Sequence, residues 1–177
     1  MGDGSQNIED ILLTAGQIQE RVCAMGREIS ERHSGTVPLL VGVLKGASCF
    51  LADLMREINL PLEIDVLSLT RGASGGLNDI AISHDLSMEI KGRNVILVED
   101  IVDTGLTLEF LLGHLWSREP ASVEVCALLD KKVKRVVDVP ITYIGFEVPD
   151  KFVVGYGLDY EERYRNLRYI GAMAPEK

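Results

Sequence analysis

The chain has 177 residues, of which 46% are hydrophobic and 25% charged, a composition typical of a soluble globular domain. Its formal net charge of −9 disfavours nucleic acid as a partner, because binding nucleic acid needs a broad basic face. No signal-peptide pattern and no apolar run of membrane-spanning length occurs, and the three cysteines are spaced like neither a metal site nor a disulfide framework. We therefore expect a cytoplasmic protein with no membrane partner.

The sequence predicts that helices and buried strands alternate along the chain. Apolar residues at spacings of three and four predict a helix over 8–32. Continuous apolar runs then predict strands that are buried on both faces. The later predicted elements are a strand at 38–44, a helix at 48–58, a strand at 62–69, a loop at 71–84 that can hold a short hairpin arm, a strand at 95–98, a helix at 105–116, and strands at 123–129, 141–146 and 152–155. This order predicts an α/β fold with a mainly parallel twisted sheet flanked by helices, in which ligands bind at the carboxyl ends of the strands.

The segment 95–107 carries the sharpest chemical signal. A predicted buried strand ends in two acids, and a short turn rich in Thr and Gly then opens a helix. Such a turn presents several backbone N–H groups toward one point, and the helix N-terminus favours an anion. Thr104 and Thr107 add hydroxyl donors, and Gly105 allows close approach of the backbone. Together with Leu106 between them, these residues predict a site for a phosphate monoester.

The two acids, Glu99 and Asp100, would repel a phosphate placed directly beside them. They fit a polyhydroxylated group lying between them and the turn, because carboxylates accept hydrogen bonds from a vicinal diol and help to hold Mg²⁺. The run therefore predicts a ribose 5-phosphate site with Mg²⁺ as cofactor. The structural alternative is that both acids are solvated charges at a strand end and that Thr104 is a helix cap.

This run resembles the signature of the phosphoribosyltransferases, an apolar strand followed by two acids and a D-T-G-x-T loop. The segment 44–46 (Leu-Lys-Gly) resembles the family's pyrophosphate loop, and the segment 128–131 (Leu-Leu-Asp-Lys) resembles its purine-contacting lysine segment. Residues 145–167 are similar to the hypoxanthine-guanine branch nearly residue for residue. The resemblance spans about Val37 to Gly171 and implies the type I phosphoribosyltransferase fold.

The resemblance also implies an organisation and an activity. It implies one domain over residues 1–177, with a small hood subdomain drawn largely from about 1–36 and 140–177 and a mobile loop over about 70–86. It implies a homodimer or homotetramer and a cis peptide at Leu44–Lys45. The implied reaction is purine salvage, in which 5-phosphoribosyl pyrophosphate and hypoxanthine or guanine give the nucleoside monophosphate and pyrophosphate.

Individual roles follow from the same resemblance. Asp103 would be the general acid/base that exchanges a proton with purine N7. Lys131 would donate to the 6-oxo group, which favours 6-oxopurines over adenine, and Phe152 would stack on the base. The resemblance also implies which residues bind the remaining groups. Ribose phosphate would be bound by Thr104, Gly105, Leu106 and Thr107, and pyrophosphate by Lys45, Gly46 and Arg165. The purine edge would be contacted by Val153 and Asp159, and Mg²⁺ would be held by Glu99, Asp100 and Asp159.

Simpler structural interpretations of these residues stay open. Phe152 and Val153 also fit an ordinary core. The basic run 131–135 fits a solvated turn, although Lys131 stands out because it directly follows an apolar strand and an acid. The acids of 159–162 fit a charged surface with Arg165 as their partner.

The chain departs from the family pattern at one place. Enzymes of this branch carry a Ser-Tyr pair on the mobile loop, and this chain has Arg71-Gly72 there. The Gly- and Ser-rich run 72–76 still suits a moving lid, and we hypothesise that Arg71 reaches the pyrophosphate instead.

Three other functions are compatible with the sequence. A xanthine-preferring enzyme differs only in contacts near purine C2. An RNA-binding regulator of the same superfamily is favoured slightly by Arg71 but disfavoured by the acidic composition and by Asp103. A phosphate-binding adaptor without chemistry is the third alternative. The preference among hypoxanthine, guanine and xanthine is not readable from the sequence.

Overall fold

The computed structural model of the chain describes residues 8–71 and 80–174. Two sheets and three α-helices make up this part of the chain. In chain order the elements are β1 Ile8–Leu13, α1 Ala15–Arg32, β2 Leu39–Leu44, α2 Ser48–Glu57, β3 Glu63–Arg71, β4 Ile80–His84, β5 Asn94–Val102, α3 Leu106–Trp116, β6 Ser122–Asp130, a 3-10 turn Lys132–Lys134, β7 Tyr143–Glu147, β8 Val153–Val154 and β9 Ile170–Met173.

The larger sheet has six strands in the order β4-β3-β2-β5-β6-β7. Its strands pair in parallel except for the edge strand β4, which runs antiparallel to β3. The chain leaves β2 for β3 on one side and later returns to β5 on the other side. The carboxyl ends of β2 and β5 therefore form a topological switch point, where open α/β sheets bind their ligands.

Helices cover both faces of this sheet. The apolar faces of α1 and α2, with Met25 and Phe50 fully buried, pack against one face. The apolar face of α3, through Leu111 and Leu115, packs against the other. Burial on both faces explains why the central strands read as continuous apolar runs. The predicted α/β fold with a mainly parallel sheet is confirmed.

A small antiparallel sheet joins the first and last described strands. Its order is β1-β9-β8, so that residues 8–13 and 153–154 each pair with 170–173. The peptide Leu44–Lys45 is cis, as the resemblance implied. None of the described helices is long and apolar enough to cross a membrane.

The prediction of one helix over 8–32 is wrong at its beginning. Residues 8–13 form a strand because β9, more than 150 positions later, supplies hydrogen-bond partners for it. The helix starts after Thr14, whose side chain accepts from the Gln17 amide while the Gln17 side chain accepts from the Thr14 amide. This capping box marks the true start of the helix.

The prediction that the strand ends at residue 98 is also wrong. Strand β5 continues to Val102 because β6 pairs with it as far as Asp130. Glu99 and Asp100 therefore lie within the strand and not after it. Strand β9 was not predicted at all.

Candidate active site

A cavity of about 380 Å³ lies at the switch point between β2 and β5. The end of β5 and the turn that follows it line one side, and the end of β2 with Gly46 lines another. The predicted site residues that line the cavity are Gly46, Glu99, Asp100, Asp103, Thr104, Gly105 and Thr107. Three of the residues predicted to hold ribose phosphate thus meet two of the predicted metal ligands and Asp103 around one space, whereas Leu106 and Asp159 do not line it.

The shape of the turn between β5 and α3 is set by Gly105 and by hydrogen bonds to the segment 136–137. Gly105 has φ 89°, a conformation that favours glycine, and a Cβ there would lie 2.7 Å from the Val137 carbonyl oxygen. Leu106 begins α3, whose first N–H groups have no partner within the helix. The Thr104 carbonyl accepts from the amides of Val136 and Val137 at 2.9 and 3.1 Å. The turn can therefore hold an anion at the start of α3.

The two acids of β5 differ in burial. Glu99 is buried, with 6% of its surface exposed. Asp100 is enclosed by protein but keeps part of its surface open to the cavity. Burial raises the pKa of Asp100 to about 6, although the hydrogen bond from the Ile101 amide and the charge of Arg165 act in the opposite direction. A cation in this cavity would replace the proton that the buried carboxyl group tends to keep.

Asp103 directly follows β5 and faces the same cavity. Its Oδ1 is buried and has no hydrogen-bond partner among the described residues. Its negative charge contributes to raising the pKa of Lys134, behind the larger effect of the hydrogen bond from Lys134 to Asp150. An unpartnered buried carboxylate oxygen beside a cavity is suited to exchange a proton with a ligand there.

The loop after β2 contacts the acids of β5. A Cβ on Gly46 would overlap the carboxylate of Asp100, so any other residue at this position would have to displace that side chain. The Lys45 ammonium lies 2.9 Å from Glu162 Oε2. Lys45 does not line the cavity, but its two neighbours in the chain, Leu44 and Gly46, do.

Arg165 connects this loop to the C-terminal segment. Its guanidinium donates to the Gly157 carbonyl at 2.8 Å and pairs with Asp159 at 2.8 Å and with Glu162 at 3.3 Å. Its Nε is buried and has no hydrogen-bond partner among the described residues. The structure thus brings Lys45, Arg165 and Asp159 together around Glu162, a partner that sequence reasoning left among the surface acids.

The predicted purine-contacting residues lie outside the lining of this cavity. Lys131 follows β6, is 6% exposed and donates its amide to the Val102 carbonyl at 2.9 Å. Val153 is buried in β8, whereas Phe152 is 54% exposed and meets Tyr160 edge to face, with ring centroids 5.7 Å apart. An exposed Phe is unlike a core residue and leaves a ring face available for stacking.

Sequence reasoning missed one pair beside the site. Asp130, buried at the end of β6, forms an ion pair with Arg135. The sequence analysis assigned a role to Lys131 but none to the neighbouring Asp130. The one feature of the sequence that indicated a buried ion pair is an acid at the end of an apolar strand. The Arg71 side chain and residues 72–76 lie outside the described residues.

Comparisons with known proteins agree with this geometry. A model of the phosphoribosyl transferase domain matches residues 10–161. The hypoxanthine phosphoribosyltransferase of Salmonella typhimurium is 44% identical over 92% of this chain and 93% of its own length.

Two solved structures are similar throughout. A hypoxanthine-guanine phosphoribosyltransferase from Bacillus anthracis superposes with a TM-score of 0.92 at 39% identity and covers 94% of this chain and 99% of its own. The hypoxanthine phosphoribosyltransferase of Trypanosoma cruzi, in complex with the product IMP, has a TM-score of 0.92 at 33% identity and covers 98% of both chains. The chain, with its D-T-G-x-T turn beside paired acids, belongs to the phosphoribosyltransferase family.

Proposed function

We propose that this chain is a purine salvage enzyme that transfers the 5-phosphoribosyl group from 5-phosphoribosyl pyrophosphate to hypoxanthine or guanine, giving IMP or GMP and pyrophosphate. The observation that carries the proposal is the cavity at the switch point, where the phosphate turn 104–107 faces Glu99 and Asp100. A ribose 5-phosphate needs anion donors at one end and hydroxyl acceptors at the other. The names of the similar enzymes support the same reaction.

The preference for a 6-oxopurine rests on Lys131. The structure describes six lysines, and five of them form ion pairs with acids: Lys45, Lys91, Lys132, Lys134 and Lys151. Among the described residues Lys131 has no such partner, which leaves its ammonium available to a ligand. An ammonium donates hydrogen bonds only, so it recognises a 6-oxo group and not a 6-amino group.

Asp103 is the proposed general acid/base. Its carboxylate would exchange a proton with N7 of the purine as the bond between the base and C1′ forms or breaks. The carboxylate would also stabilise the positive charge that develops on the sugar. The unpartnered Oδ1 at the cavity supports this role, because no described donor competes for it.

Arg165, Lys45 and Gly46 are the proposed pyrophosphate-binding residues. The guanidinium suits two-point contact with phosphate oxygens, and its buried Nε has no described partner. Lys45 pairs with Glu162 on the surface, where both side chains are more than 60% exposed, so this pair is weak and can exchange for a phosphate.

Mg²⁺ is the proposed cofactor, and the residues fit it. No group of three or more His, Cys, Asp or Glu able to hold a metal occurs within the described residues, but Mg²⁺ commonly uses one or two carboxylates together with substrate phosphates and water. Glu99 and Asp100 would hold it, and its chemistry would be neutralisation of the leaving pyrophosphate. Asp159 would serve a second Mg²⁺ and is now paired with Arg165.

The proposal includes the organisation implied by the sequence. The chain would be one domain whose hood carries the base-contacting Phe152, Val153 and Asp159, and the small sheet that contains β8 supports this assignment. A cytoplasmic location and a homodimer or homotetramer complete the proposal.

A spectrophotometric assay tests the function. Hypoxanthine, guanine, xanthine and adenine are supplied with 5-phosphoribosyl pyrophosphate, with and without Mg²⁺. We expect Mg²⁺-dependent product with hypoxanthine or guanine and none with adenine, and absence of product from every base would refute the proposal.

A variant of Asp103 tests the mechanism. Asp103→Asn should lower kcat by about 100-fold and leave IMP affinity nearly unchanged. Equal turnover in the variant and the parent protein would remove Asp103 from the mechanism.

A further inference from the structure

Asp130 is a buried acid directly beside the lysine that the proposed function assigns to the base. It is the last residue of β6, and only 4% of its surface is exposed. Its backbone is fixed on both sides, because it pairs with Val102 of β5 and its carbonyl accepts from the Val148 amide at 3.0 Å. The carboxylate therefore cannot leave the interior by a local movement of the chain.

Arg135 supplies the cation for this carboxylate. Its Nη2 pairs with Asp130 Oδ1, and the two side chains are only 14% and 5% exposed. Its Nη1 is also buried and has no hydrogen-bond partner among the described residues. Among the described contacts of the guanidinium, the ion pair with Asp130 is therefore the one that sets its position.

The segment that carries Arg135 is docked on the phosphate turn. The residues after it, Val136 and Val137, donate their amides to the Thr104 carbonyl. The Arg135 side chain passes beside Gly105, since its Cδ lies 3.1 Å from the position a Cβ of Gly105 would occupy. The position of the guanidinium is thus tied to the turn that would bind the ester phosphate.

We propose that Arg135 is a positioning residue for base recognition, which neutralises Asp130 so that the ammonium of Lys131 remains available to the purine 6-oxo group. The inference rests on the proposed function. A buried carboxylate demands a counter-charge. Without Arg135, the adjacent Lys131, which has no acidic partner among the described residues, would become that counter-charge and would be withdrawn from the base.

The test asks whether removing the charge of Asp130 restores the hypoxanthine affinity that is lost when Arg135 is replaced. Arg135→Met should raise the KM for hypoxanthine about 10- to 100-fold, the effect of losing one hydrogen bond from a charged donor, while the KM for 5-phosphoribosyl pyrophosphate changes less than about threefold. Adding Asp130→Asn to this variant removes the attraction on Lys131. The double variant should recover a KM for hypoxanthine within about threefold of the parent protein.

This reversal separates positioning from packing. If Arg135 only filled space, the second substitution would leave or worsen the defect, and that result would overturn the inference, as would an unchanged KM for hypoxanthine in Arg135→Met. Lys132→Met is the matched control, because this neighbouring lysine is exposed and pairs loosely with Glu147. It should leave the KM for hypoxanthine unchanged.

A second variant and a binding measurement distinguish a failure to fold, or a failure of the proposed function, from a failure of this inference. Should Arg135→Met not fold, Arg135→Gln carries the same prediction, since it also removes the charge and keeps hydrogen-bond donors. Titration of each folded variant with IMP should give the same ranking without turnover. A parent protein that makes no IMP refutes the proposed function itself, whereas an active parent with no reversal by Asp130→Asn refutes only the role of Arg135.

Discussion

Replacing Asp100 with Asn should stabilise the protein and impair its chemistry. In the folded chain burial raises the pKa of Asp100 from 3.8 to about 6. Between these two values the folded protein keeps a proton that the unfolded chain has lost, so the free energy of unfolding falls as the pH rises. Above about pH 6 the free energy of unfolding no longer falls, and the ionised carboxylate of Asp100 destabilises the folded state by a constant amount.

The size of this cost follows from the change in pKa. Since one pH unit corresponds to about 1.36 kcal/mol, a rise from 3.8 to about 6 corresponds to at most about 3 kcal/mol. Part of the Asp100 side chain stays open to the cavity, and contact with solvent there reduces this cost. We therefore expect Asp100→Asn to raise the free energy of unfolding by about 1–3 kcal/mol at pH 8, and by less at pH 5.

Urea unfolding at pH 5 and pH 8 measures the effect. Glu20→Gln on the exposed side of α1 is the control, and its effect should be small at both pH values. The same Asp100→Asn preparation should need more Mg²⁺ for activity, because one carboxylate of the proposed metal site is gone. A gain in stability that is equal at the two pH values, or a loss at pH 8, would refute the reasoning about burial.

Two further substitutions give contrasting results. Asp65→Asn should lower the free energy of unfolding by about 1–3 kcal/mol at neutral pH, because the buried carboxylate accepts several amide hydrogen bonds. These bonds outweigh the effect of burial and hold the pKa of Asp65 below its usual value. The difference in the free energy of unfolding between the variant and the parent protein, measured with urea, should therefore shrink only below about pH 4. A difference that stays constant with pH would contradict this. Gly46→Ala should lower kcat/KM by about 100-fold, since the new Cβ must displace Asp100. Gly16→Ala, which meets no atom within 4 Å, should retain the parent rate, and equal activity of both variants would disprove the close approach.

The sequence predicted the elements whose signals are local. The apolar runs of β2 and β6 and the turn 104–107 were each readable from their own residues, because burial on both faces of a sheet and a tight turn from strand to helix impose strong local composition. The paired acids and Asp103 were predicted together, and the structure brings them to one cavity.

Features that depend on distant partners were not predictable in this way. Strand β1 has the apolar spacing of a helix and becomes a strand through pairing with β9. The extension of β5 to Val102 depends on β6. The ion pair between Asp130 and Arg135 joins two residues whose proximity depends on the 3-10 turn between them, and no periodicity encodes it.

The small sheet imposes an order on biosynthesis. Its middle strand, β9, comes from residues 170–173, while its neighbours come from 8–13 and 153–154. Strands β2, β3, β5 and β6 all lie well before β9 in the chain, so they can pair with one another before β9 has been synthesised. Among the described strands β1 pairs with β9 alone, so residues 8–13 stay unpaired during that interval. Completion of the small sheet is therefore a late step, and it joins the two ends of the described chain.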